Sequence, residues 1–327
     1  MHDQFGRSAT DLRVSLTDRC NLRCTYCMPV DGPGWLPKSS LLTDDEVSRL
    51  VRLAVERLDV TDVRFTGGEP LLRPGLEAII AAASELTPRP TLSLTTNGIG
   101  LAERAIGLHE AGLDRINISL DTLDAATFTR LARRDRLGDV LAGISAARDA
   151  GLHPVKINTV LVRDVNDHEA PKLLQYALTH GLQLRFIEQM PLDPMGAWSR
   201  DQMVTAAEIL DNLRTHWDLT AISRGESSQP ADEWSVNRGP QTVGIVASVT
   251  RPFCNSCDRV RLTADGQVRS CLFGRDDADL RTALRAGEAD DVIEGMWRGA
   301  VSRKAAGHGI NSSNFTPPDR PMSAIGG

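Results

Sequence analysis

The chain has 327 residues, 41% of them apolar and 24% charged, with a net charge of −6. That length allows one large α/β barrel or two ordinary domains, and the balance is that of a globular protein. No segment reaches the ~20 consecutive apolar residues of a membrane-spanning helix, and residues 1–9 are too polar for a secretion signal. The acidic balance speaks against broad nucleic-acid affinity. A cytoplasmic protein with neither membrane nor nucleic-acid partners is the expectation.

Six apolar, β-branched runs recur at 12–17, 60–66, 91–96, 115–120, 155–162 and 182–188, with helical patterns between them. The clearest helix starts at Thr43 with Glu46 three residues on, a capping box. Val47, Leu50, Val51, Ala54, Val55 and Leu58 then keep one apolar stripe on one face. Gly112, Gly151 and Gly181 each sit between a helical pattern and the next strand, where a left-handed helix cap is required. Strand alternating with helix implies parallel strands with right-handed crossovers. Six such units fall short of the eight that close a barrel, so a partial, open (β/α)6 barrel is predicted over residues 1–218.

Residues 219–327 break this rhythm and read as a C-terminal extension packed on the barrel. The stretch 225–232 is polar and turn-rich, 234–249 reads as a hairpin, and Asp265-Gly266 predicts a tight turn between two short strands. The basic run Arg130, Arg133, Arg134 and Arg136 reads as a solvated face.

The six cysteines fall into two triads, Cys20/Cys24/Cys27 and Cys254/Cys257/Cys271. A disulfide framework suits small secreted chains, whereas clustered thiols in a reducing compartment bind metal. Three thiolates at CxxxCxxC spacing, in the loop after the first strand, suit a [4Fe–4S] cluster with one iron left open. A structural zinc site is closed by four ligands, and no fourth lies near this triad. The predicted Asp-Gly hairpin folds Cys271 back beside Cys257, where a zinc ribbon remains a rival. Gly67-Gly68-Glu69-Pro70 ends the second strand; its glycines allow a ligand close to the backbone, and Glu69 is placed to accept from an ammonium group. Arg259 and Arg261, two apart in a strand, share a face and form a fork for phosphates or guanine acceptors.

The first triad, with an aromatic before its last cysteine, resembles the radical S-adenosylmethionine (SAM) superfamily. Residues 12–20 (LRVSLTDRC), Thr66-Gly67-Gly68-Glu69-Pro70, the second triad and the closing Met322-Ser323-Ala324-Ile325-Gly326-Gly327 narrow the likeness to the GTP 3′,8-cyclase family, over nearly the whole chain. The resemblance implies two [4Fe–4S] clusters, one on Cys20, Cys24 and Cys27 and one on Cys254, Cys257 and Cys271, the second with its open iron toward the guanine base. It implies SAM contacts from Tyr26, Gly68, Ser119 and Met190, and GTP contacts from Arg13, Arg64, Thr95, Lys156, Arg259 and Arg261. It makes Gly326-Gly327 a catalytic tail that enters the active site, although the prolines of 315–327 alone suggest a loose terminus. The implied reaction is conversion of GTP to 3′,8-cyclo-7,8-dihydro-GTP, the first step toward the molybdenum cofactor. It needs a reducing electron donor, passes its product to the next molybdopterin-pathway enzyme, and belongs to a monomer or homodimer. Two other readings compete: a radical SAM peptide-modifying maturase with an auxiliary cluster, and a zinc-ribbon structural or nucleic-acid-binding protein.

Overall fold

The computed structural model describes residues 1–193, 195–196, 198–223, 228–274, 277–318 and 320–326. Part of the expected turn-rich stretch 225–232 lies outside these. Six βα units follow in order: β1 (Asp11–Ser15), α1 (Asp44–Leu58), β2 (Asp62–Thr66), α2 (Leu76–Ser84), β3 (Thr91–Thr96), α3 (Leu101–Glu110), β4 (Arg115–Ser119), α4 (Ala125–Ala132), α5 (Leu137–Asp149), β5 (Val155–Val160), α6 (Ala170–His180), β6 (Gln183–Ile187) and α7 (Ala206–Arg214). The capping box is present at Thr43 and Glu46. Gly112, Gly151 and Gly181 all take positive φ at the predicted helix exits, where any side chain would be strained.

The remaining elements are β7 (Leu219–Ile222), β8 (Asp232–Val236), β9 (Thr242–Val246), β10 (Arg259–Leu262), β11 (Gln267–Arg269), β12 (Asp277–Asp279), α8 (Leu280–Arg285), α9 (Asp290–Ser302) and α10 (Met322–Ile325). Among the described residues the strands form one sheet, ordered β12-β11-β10-β1-β2-β3-β4-β5-β6-β9-β8-β7. The extension therefore supplies strands as well as cover: β10 lies parallel to β1, and β9 parallel to β6. The expected hairpins are β8–β9 and β10–β11, both antiparallel. No helix of the described residues is long and apolar enough to cross a membrane.

Alternation along the strands decides what each side of the sheet is for. Leu12, Val14, Val63, Phe65, Leu92, Leu94, Ile116 and Ile118 are fully buried in the core shared with the helices. The residues between them point the other way, into the lumen. These are polar: Arg13 and Ser15, Arg64 and Thr66, Ser93 and Thr95, Asn117 and Ser119.

One buried carboxylate joins the barrel to the extension. Glu188, just after β6, accepts from the backbone N–H groups of Ala206, Val249 and Thr250 and from the Thr250 hydroxyl, at 2.6–2.9 Å. Glu188→Gln places an NH2 group against these donors and strands at least one of them. The substitution is expected to lower stability by about 2 kcal/mol, read as a drop in the chemical-denaturation midpoint.

Candidate active site

The loop after β1 carries the first triad. The N–H groups of Cys27 and Met28 both donate to the Cys24 carbonyl at 3.0 Å, so the last two cysteines share one turn. Arg23 and Thr25 donate their N–H groups to Ala132 and Leu131, fastening the loop to the end of α4. Arg133 reaches back to the carbonyls of Arg23 and Met28. It thus braces the cysteine loop, whereas Arg130, Arg134 and Arg136 of the same basic run are exposed as expected. Burial pushes the Cys20 thiol up to about 11, Cys27 up to about 12, and Cys24 well above its ordinary value. Thiolates in such a pocket need a metal's charge to hold them ionised.

The Gly-Gly turn after β2 lies against this loop. A Cβ on Gly68 would stand 2.3 Å from the Arg19 carbonyl, and one on Gly67 2.5 Å from that of Thr17. The glycines thus serve a close approach of the chain to itself, while Gly68 also lines the cavity. Glu69 does not line the cavity. It is fully buried and accepts from Leu71 N–H, Thr96 Oγ1 and Asn97 N–H. The expected contact with an ammonium group is corrected accordingly: the carboxylate shapes the turn and holds Asn97, whose Nδ2 lies 3.7 Å from Cys20 Sγ.

The second triad lies across the same cavity, at the edge formed by β10. Cys254 and Cys257 share a turn closed by a 3.2 Å bond from Cys257 N–H to the Cys254 carbonyl. Gly266, at φ +78°, turns the β10–β11 hairpin that brings Cys271 back. Burial raises the Cys254 thiol; at Cys257 burial is outweighed by Lys304 and Arg259, which hold it below the usual thiol range. The nearby His308 supplies no fourth ligand. Its Nδ1 accepts from Ile310 N–H and its Nε2 lies 3.1 Å from the Ser248 carbonyl, so both ring nitrogens are engaged. Among the described residues no three His, Cys, Asp or Glu side chains are grouped to hold a single metal ion. Three sulfur donors, spread around a cavity wall, suit a group with several irons and one open coordination position.

All six cysteines line one cavity of about 350 Å³, within the range of small-molecule sites. Tyr26, Gly68, Ser119 and Met190 line it on the side of the first triad's loop and the ends of the strands that follow it. The Tyr26 hydroxyl donates to Asp121 at 2.6 Å, and burial pushes that carboxyl up to about 6.

Between the triads the wall is cationic. Arg13 is in register with Arg64 on one side and Arg261 on the other, and Arg259 lies one pleat below, in register with Asp11. Arg13, Arg64, Arg259, Arg261 and Thr95 all line the cavity. Arg259 and Arg261 are buried rather than solvated, and the Nε atoms of Arg13 and Arg259 have no hydrogen-bond partner among the described residues. Burial and mutual repulsion push Arg13 well below its ordinary value and Arg261 down to about 10. Burial raises Asp11, but Arg13, Arg64, Arg259 and Arg261 hold its carboxyl low. Lys156 is set apart. It lies on β5, is partly buried and does not line the cavity; burial and then Arg185 push it down to about 7.

Arg185, on β6, does line the cavity, pushed down to about 10 by burial and Arg64. It and Asp121 were not picked out from the sequence. A charged residue between Leu184 and Phe186 in an apolar strand was the available signal for Arg185.

The tail reaches this cavity. Arg320 pairs with Asp265 at 2.9 Å, α10 follows, and Met322 and Ser323 line the cavity. The Gly326 carbonyl accepts from Arg261 at 3.2 Å. A Cβ on Gly326, at φ +83°, would lie 3.0 Å from Thr66 and 3.2 Å from Ser15. Gly327 lies outside the described residues.

Residues 14–177 match the Radical SAM superfamily, and residues 182–310 match Molybdenum Cofactor Synthesis C. The GTP 3′,8-cyclase of Mycobacterium sp. strain KMS is 60% identical, over 99% of this chain and 93% of its own. That of Streptomyces coelicolor is also 60% identical, over 99% of this chain and 96% of its own. The fold is similar to that of Streptococcus suis SuiB bound to precursor peptide SuiA, with a TM-score of 0.61 at 14% identity, covering 92% of this chain and 68% of that one. At that identity the likeness to SuiB concerns fold alone, whereas the GTP 3′,8-cyclases match at 60% identity over nearly their full length. The chain belongs to the GTP 3′,8-cyclase family of radical SAM enzymes.

Proposed function

We propose that the chain is a GTP 3′,8-cyclase that makes 3′,8-cyclo-7,8-dihydro-GTP on the way to molybdopterin. The observation that carries this reading is the placing of two cysteine triads across one cavity, with the in-register row Arg261, Arg13 and Arg64 in the wall between them. Buried cations with unpartnered donors are costly alone and favourable opposite a polyphosphate. A zinc-ribbon protein has no use for such a lumen.

Cys20, Cys24 and Cys27 would hold the cluster that binds SAM, and Cys254, Cys257 and Cys271 the cluster that meets guanine. When bound, the first cluster and SAM would supply one-electron reduction and radical hydrogen-abstracting chemistry at the GTP ribose. The chain does the rest by placement. Tyr26, fixed by Asp121, and Gly68, Ser119 and Met190 surround SAM. Arg13, Arg64, Thr95, Arg259 and Arg261 hold the nucleotide between the clusters, with Arg185 beside them; Lys156, on β5 outside the cavity lining, acts on it through its charge. Gly326 closes the lumen beside Arg261 and excludes water from reactive carbon centres, with Gly327 the second residue of the proposed catalytic pair. The reading carries with it an outside electron donor and transfer of the product to the next pathway enzyme, within a barrel of 1–218 and an extension of 219–327.

Anaerobic incubation with GTP, SAM and a strong reductant should give a product with the mass of the cyclised nucleotide. Deleting Gly326 and Gly327 should abolish that product and leave SAM binding unchanged. Equal product from the shortened protein would remove the tail from the reading.

Anaerobically reconstituted protein should hold about eight irons per chain. Replacing Cys20, Cys24 and Cys27 by Ala should halve the iron and end SAM cleavage; replacing Cys254, Cys257 and Cys271 should halve the iron and leave some uncoupled cleavage. Zinc at either triad after anaerobic purification would contradict this.

Lys156 gives a pH signature. In the free protein it titrates at about 7, so at pH 8 it is mostly neutral, and a bound triphosphate raises its affinity for a proton. GTP binding should take up a proton at pH 8 and far less at pH 6, where Lys156 is already charged. Calorimetry in buffers of different ionisation enthalpy reads this, and Lys156→Met should remove the uptake.

A further inference from the structure

The second triad has a built-in cation that the proposed chemistry does not use. Lys304, just beyond α9, is 3% exposed. Its Nζ donates to the carbonyls of Cys257 and Arg259 at 2.8 and 2.9 Å and lies 3.5 Å from Cys257 Sγ. Its hydrogen-bond partners among the described residues are thus two carbonyls and a sulfur, with no carboxylate. The carbonyls satisfy its donors but not its charge, and a buried ammonium without an anion is costly. The anion within reach is the Cys257 sulfur once it is ionised as a ligand.

The lysine is also held in place. Arg7, fixed by Asp3 at its Nε, donates to the carbonyls of Cys254, Ala305 and Ala306 at 2.6–2.9 Å. The segment that carries Lys304 is thereby clipped to the cysteine turn from the other side. At the first triad Arg23 donates to the Cys20 carbonyl, but among the described residues the Cys20 sulfur itself receives only weak contacts from Leu22 N–H and the Asn97 amide.

We propose that Lys304 is a positioning residue for the second iron–sulfur cluster, balancing the negative charge at Cys257 and making that cluster easier to reduce. The inference rests on the reading of this triad as a cluster site. One added electron makes the site more negative by one unit, so a fixed cation donating to a ligand sulfur favours the reduced form.

The test uses the full chain with Cys20, Cys24 and Cys27 replaced by Ala, so that signals come from the second site alone. Iron content and an EPR-monitored redox titration are compared for the parent, Lys304→Met and Lys304→Arg. With iron retained, Lys304→Met should move the midpoint to more negative potential, and Lys304→Arg should stay near the parent. Iron lost from Lys304→Met but kept by Lys304→Arg would express the same need for charge as an affinity. Equal midpoints in all three proteins, or equal shifts or iron losses in both variants, would overturn the inference and leave Lys304 a brace for two carbonyls. A parent without any [4Fe–4S] signal would overturn the cluster reading itself.

Discussion

The structure depends on keeping cations inside a barrel whose stability is made outside it. In a filled (β/α)8 barrel the interior holds branched apolar side chains and contributes packing. Here Leu12, Val14, Val63 and Phe65 bury their surface under the helices, while Arg13 and Arg64 face the lumen. Neighbouring strands lie about 4.8 Å apart, so the in-register row Arg261, Arg13 and Arg64 places like charges side by side. Their repulsion and burial are tolerated because the helix-covered face supplies the hydrophobic stabilisation, roughly 25 cal/mol per Å² of apolar surface. The lumen is thereby left tuned for a polyanion.

That constraint explains why the extension belongs in the sheet. Without β10 the row would hold two arginines, and the second triad would have no strand to place it opposite the first. The hairpin turned at Gly266 sets Cys271 beside Cys257, and the parallel pairing of β10 with β1 sets Arg261 beside Arg13. The placing of the second triad and the row of arginines are consequences of one register.

The two triads are built for different surroundings. The first lies in a buried pocket beside Glu69 and Asp121, where burial and then nearby negative charge resist thiolate formation and Arg23 only partly offsets them at Cys20. The second lies among Arg259, Arg261 and Lys304, so its Cys257 is the thiol whose ionisation is helped. The tail reaches the same cavity: Ser323 lines it together with Cys27, and the Gly326 carbonyl accepts from Arg261. Pro317, Pro318 and Pro321, which from composition suggest a loose end, limit the freedom lost when this segment is seated.

Much was legible in the sequence because it is local. Apolar, β-branched runs marked β1 to β6, the capping box marked α1, cysteine spacing marked the metal loops, and Asp265-Gly266 marked the hairpin. Local pattern says which residues share a face, so Arg259 and Arg261 were readable as a pair. It does not say which edge a strand joins, and the pairing of β9 with β6 and β10 with β1 came only with tertiary structure. Nor does it say which way a single side chain turns: Glu69 faces inward because Leu71, Thr96 and Asn97 offer it donors that a ligand would have to displace. Lys304 and Cys257 are 47 residues apart, a separation over which no sequence period operates. Propensity and spacing determined the parts; long-range packing, where charge must find a partner away from water, decided which of them meet.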